Sequence, residues 1–145
     1  MIIKAIDRGK GDNNMAMYEM KPEYYTGIKF IDEEHKMLFD IANRAYELLM
    51  NEFIPDKYDY IMEVVDELKD YAKYHFDHEE TYMQSVKYKR ILSQKVAHDD
   101  FIEKINQYDS RVVDENQRES LLELLDFLTT WLVHHIFKQD KLIAE

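Results

Sequence analysis

Four apolar stripes with helical spacing run along this chain, and each is interrupted, in phase, by polar side chains. In the first, Ile31, Leu38, Ala42, Ala45 and Leu49 recur at steps of three and four or their sums, the rhythm of one helix face, and His35 fills the gap after Ile31. The second stripe is Ile61, Val64, Val65, Leu68 and Ala72. Continued at about 100° per residue, it carries His75 and Glu79 at its centre, with Met83 beyond. His78 falls off centre to one side and Glu80 further off to the other, so neither is expected to point inward. In the third, Ile91, His98, Ile102 and Ile105 share a face with Gln94 and Phe101. The fourth is Leu121, Leu125, Leu128 and Leu132, and its next in-phase position is His135, while His134 points away.

The stripes predict helices near 32–51, from after Pro55 to about 85, 89–109 and 116–138. Asp32 is a candidate N-cap for the first, and Asn116 with Glu119 reads as a capping pair for the fourth. The connections are short, so consecutive helices are expected to be antiparallel neighbours. An all-α, up-down-up-down four-helix bundle follows, over residues 21–145, preceded by an arm over 1–20 that shows no sustained period. Only 3 Gly and 2 Pro occur in 145 residues, too little punctuation for many short strands.

A lone histidine on a core face is more often hydrogen-bonded than metal-bound. Here the set is too large for that account. Buried polar groups without partners cost a few kcal/mol each, and several would consume most of a stability of about 5–15 kcal/mol. Imidazoles and carboxylates from facing helices are an ordinary way to build a metal site inside a bundle. The absence of Cys removes thiolate sites, iron–sulfur clusters and disulfides. Imidazole with carboxylate suits iron, zinc, manganese or copper. Four inward histidines exceed what one tetrahedral zinc requires and fit two adjacent ions. No histidine follows a glutamate by three positions, which argues against the carboxylate-rich class of di-iron bundle.

These residues resemble the hemerythrin family in its bacterial form. The resemblance covers about residues 18–142. It runs through "TGIKFIDEEH", ending at His35, "HFDHEE" with His75 and Glu79, "HDDF" at His98, and "WLVHHIFKQD" with His135 and Asp140. It implies two iron ions joined by an oxo or hydroxo group and bridged by Glu79 and Asp140. His35 and His75 would hold the ion open to O2, and His98 and His135 the other. Phe76, Trp131, Leu132 and Ile136 would line an apolar O2 pocket, although ordinary core packing explains each equally well. The implied function is O2 binding for carriage, scavenging or sensing, with O2 held as a hydroperoxide after each iron gives an electron.

Two positions depart from simple expectation. Asp140 lies five residues after His135, about 140° away on an ideal α-helix. It can join the site only where the helix widens, as π-bulges do; Gln139 is its α-helical competitor. Gln94 stands where the family's third helix carries a histidine, so the usual three-histidine iron is incomplete. Three outcomes stay open: the Gln94 carbonyl coordinates, water occupies the position, or another side chain replaces it. An extra open position defines the alternative function, a di-iron enzyme that reduces peroxide or another small oxidant.

The formal net charge of −11 opposes nonspecific binding to nucleic acid or anionic lipid. No run of 18 apolar residues or secretory leader is read, so a cytoplasmic protein without membrane contact is the default expectation. O2 or peroxide is the expected small-molecule partner; the sequence names no protein partner.

Overall fold

Helix α1 spans Lys29–Met50 and starts three residues before the expected position. Asp32 does not cap it. It sits inside the first turns and accepts hydrogen bonds from the backbone N–H groups of Thr26 and Gly27 and from the Thr26 hydroxyl. It therefore ties the entering loop to the helix instead of ending it. Gly27 makes that loop possible: its φ of 86° lies in the left-handed region, which a residue with a Cβ rarely adopts.

The structure is a computed structural model and describes residues 18–144. The expected arm falls outside the described residues up to position 17. Tyr18, within the expected arm, is buried and docked. Its backbone N–H donates to the Asn43 side chain on α1, which returns a hydrogen bond to the Tyr18 carbonyl.

Helix α2 spans Tyr58–Ser85, α3 Ile91–Asn106 and α5 Gln117–Phe127. The stretch expected as a loop before the last helix holds a further short helix, α4, over Ser110–Glu115. Asp109 caps it by accepting from the Val112 N–H. The Asn116–Glu119 capping pair does not form; Asn116 instead donates to the Val112 carbonyl of α4. A short 3-10 turn, Pro22–Tyr24, precedes α1.

The last rod of the bundle does not stay α-helical. After α5 the chain continues in π-helical turns over Leu128–Val133 and again over His135–Asp140, then ends in α6, Lys141–Ile143. The widening was expected only near Asp140; it begins well before it, at Leu128. Where it begins, the Tyr18 and Thr129 hydroxyls lie 2.7 Å apart and both reach the Leu125 carbonyl, at 3.1 and 2.9 Å. Two protons serve these three contacts at a place where helical carbonyls change partner.

The four rods form the up-down-up-down bundle. Helix α1 packs on α2 and α5, and α2 on α3. One core runs through it, from Leu49, Ile61 and Leu121 to Phe101, Leu132 and Ile136. No described helix is long and apolar enough to cross a membrane.

Candidate metal centre

The four rods each deliver polar side chains to one buried region. His35 comes from α1, His75 and Glu79 from successive turns of α2, Gln94 and His98 from α3, and His135 and Asp140 from the π turn. All are at most 4% exposed, which places ionisable groups where only a partner or an ion makes them tolerable. Two sets of potential ligand atoms lie close enough together to hold an ion: His35, His75, Glu79 and Asp140, and Glu79, His98, His135 and Asp140. The sets share both carboxylates and nothing else.

Each carboxylate turns one oxygen to each set. Glu79 Oε1 is 3.1 Å from His98 Nε2, while Oε2 is 3.5 Å from His75 Nε2 and 3.8 Å from His35 Nε2. Asp140 Oδ2 is 2.9 Å from His35 Nε2, and Oδ1 is 3.2 Å from His135 Nε2. Asp140 reaches this position because i→i+5 bonding brings the fifth residue back to about the same face. Gln139, its competitor in an α-helix, is left partly exposed, and His134 is exposed.

The nitrogens face one another without pairing. The Nε2 atoms of all four histidines, both oxygens of Glu79 and Oε1 of Gln94 are buried with no hydrogen-bond partner among the described residues. His35 Nε2 stands 2.9 Å from Asp140 without the alignment of a hydrogen bond. Lone pairs aimed at a shared space, rather than at each other, are what metal coordination requires. The donor set of imidazole nitrogen and carboxylate oxygen fits iron.

Two carboxylates outside the set orient the imidazoles. Glu34 Oε1 is 2.8 Å from His75 Nδ1, and its Oε2 is 2.7 Å from His78 Nδ1. Glu80 Oε2 is 2.7 Å from His98 Nδ1. A carboxylate can only accept here, so Nδ1 carries the proton and Nε2 is left as the free donor to a metal. Glu34 is absent from the stripe reading and Glu80 is not expected to point inward, whereas His78, read as exposed or as a support beside the ligands, is exposed and bonded to Glu34. The signal was adjacency. A residue next to a core-facing one sits about 100° round the helix, at the seam with the neighbouring rod. Glu34 on α1 looks into the α1–α2 seam, and Glu80 on α2 into the α2–α3 seam.

Aromatic rings lock one side of the centre. Phe76 stacks on His98 with centroids 3.9 Å apart and Trp131 on His135 at 4.4 Å. Trp131 thus lies on the His98/His135 side, while Phe76 also sits beside His75, with centroids 5.7 Å apart. Leu132 and Ile136 are buried in the core.

The electrostatics follow from the crowding. Burial works against a charge on His35, but the nearby Asp140 and Glu79 carboxylates outweigh it and raise its pKa to about 9. Burial also opposes ionisation of Asp140, yet His135 and His35 hold it well below the usual carboxylate range. Glu79 is lowered too, against burial and the repulsion of Asp140, by its histidine neighbours.

Gln94 is buried and its Nε2 donates to Asp140 Oδ1 at 3.2 Å. It thus contacts a bridging candidate through nitrogen, with its carbonyl oxygen turned away from that contact.

Comparison with known proteins gives a consistent result. Residues 26–145 match the hemerythrin HHE cation binding domain. A bacteriohemerythrin of Clostridium acetobutylicum is 46% identical over 125 residues, covering 86% of this chain and 97% of that protein. A bacteriohemerythrin of Pseudomonas aeruginosa is 31% identical over 126 residues, covering 87% and 78%. A hemerythrin of Themiste dyscrita is 31% identical over 113 residues, covering 78% and 79%.

Proposed function

The chain belongs to the hemerythrin family and is a non-haem di-iron oxygen-binding protein; from that premise we propose that His35, His75, His98 and His135 hold the two irons, that Glu79 and Asp140 bridge them, and that O2 binds reversibly. The observation that carries this ligand set is the division of each carboxylate between two imidazole pairs, together with four unpartnered Nε2 atoms facing the same space.

When bound, two reduced irons supply the electrons that O2 takes up. The chain's own residues supply the rest. Glu34 and Glu80 fix the protons of His75 and His98 on Nδ1 and so keep Nε2 available. Phe76 and Trp131 stack on the His98 and His135 rings and favour their present orientation. Leu132 and Ile136, both buried in the core, would add apolar surface beside the site and limit the approach of water. We place the protein in the cytoplasm, with O2 rather than peroxide as its principal ligand.

The test is anaerobic loading with ferrous iron followed by admission of O2. Two irons per chain and an absorption band that appears with O2 and fades on its removal are the expected result. A chain that takes up metal but shows no O2-dependent band overturns the reading.

A further inference from the structure

We propose that Gln94 serves a second exchangeable small-ligand position, on the ion held by His98 and His135, and that it does so by hydrogen bonding and not as a metal ligand. The inference rests on the di-iron reading above and refines it.

The first observation is a count of donors. One ion is offered His35, His75, Glu79 Oε2 and Asp140 Oδ2; the other is offered His98, His135, Glu79 Oε1 and Asp140 Oδ1. The two sets are alike in number and kind. Any position left open by the protein at the first ion therefore has a counterpart at the second.

The second observation is the way Gln94 faces. Its amide stands 3.2 Å from Asp140 Oδ1, the oxygen on the His135 side. A carboxylate oxygen only accepts, so the amide nitrogen, not the carbonyl, must face it. Coordination through Oε1 would require the amide to turn and give up this bond. Oε1 itself is buried without a partner, and an amide that spends one N–H on Asp140 keeps a second. Gln94 thus offers one acceptor and one donor beside the second ion. That combination suits a small ligand able to give and take a hydrogen bond: water, hydroxide, or a protonated small oxidant. Small anions that accept one hydrogen bond fit the donor alone and serve as probes.

The third observation is rigidity on this side. Phe76 stacks on His98 and Trp131 on His135, which favours the present orientation of both rings over one that would fill the position. Among the described residues, Gln94 is the remaining polar group of the buried cluster on α3.

Azide titration of the oxidised, iron-loaded chain tests this, followed by absorbance and calorimetry with iron content measured on the same sample. We expect two azides per pair of irons in the natural chain and one in Gln94→His, where imidazole fills the position. Gln94→Leu should retain two irons and two azides, with the second bound about tenfold more weakly for the lost hydrogen bond. Two irons with a single azide in the natural chain overturn the inference and leave the di-iron reading intact. Loss of one iron per chain in Gln94→Leu also overturns it, since Gln94 would then be a ligand. Fewer than two irons in the natural chain overturn the di-iron reading and this inference together.

Discussion

Glu34 serves two histidines with one carboxylate. It is buried, which favours its neutral form, yet the hydrogen bonds and charge of His75 and His78 bring its pKa below the ordinary value. An amide at this position keeps one acceptor and loses the other, so Glu34→Gln frees one imidazole. Loss of such orienting partners typically costs about 10–100-fold in metal affinity. Chelator competition should show a loss of that order for Glu34→Gln and a smaller one for His78→Ala, because His78 is itself exposed. His35 governs the response to pH. Its pKa is raised from 6.5 to about 9, so in the metal-free chain its contribution to stability is complete below pH 6.5 and disappears as pH rises through 9. A metal must displace that proton. Loading should therefore release protons, and apparent affinity should climb across this window. An affinity that is flat from pH 6.5 to 9 would count against the assignment of His35.

Among the elements, the end of α2 carries a local cost. Tyr88 N–H bonds to the Met83 carbonyl and Lys87 N–H to the Gln84 carbonyl, the pair of bonds that closes a helix through a left-handed residue. That residue is Lys87, with φ 56°, where glycine is usual. The left-handed conformation costs a non-glycine residue about 1–2 kcal/mol, partly offset by the greater freedom of glycine in the unfolded chain. Lys87→Gly is expected to stabilise the protein by roughly 0.5–1 kcal/mol, read as a higher urea midpoint at unchanged slope. The last rod teaches a different lesson. That Asp140 could enter the site only through a widened turn was legible from five-residue spacing. That the widening starts at Leu128 was not, because the stripe Leu121, Leu125, Leu128 and Leu132 fits an ordinary α-helix equally well. The tertiary contact of Tyr18 with Leu125 and Thr129 lies across 107 and 111 residues of sequence, beyond the reach of any local pattern.

For the whole molecule, a metal held by the proposed ligands would also be a structural tie. It would join all four rods at groups that, among the described residues, are buried without hydrogen-bond partners. A ligand held at a thousand times its dissociation constant adds about 4 kcal/mol to stability, and in a chain of this size each kcal/mol moves Tm by about 2–4 °C. Removing the metal with a chelator should lower Tm by about 10 °C or more while the far-ultraviolet circular dichroism stays helical, since the apolar core persists. A Tm unchanged by chelation would remove the structural role.

Periodicity determined the helical class and the inward phase of His35, His75, Glu79, Gln94, His98 and His135, because 3.6-residue spacing links sequence position directly to direction around a helix, and the short connections determined the antiparallel order of the rods. Which oxygen of Glu79 and Asp140 faces which pair, how Glu34 and Glu80 hold the imidazoles, and which end of Gln94 meets Asp140 were decided by the tertiary structure. Those contacts cross the seams between rods, where the rotation and height of one helix against the next set every distance, and a single strand of letters carries neither.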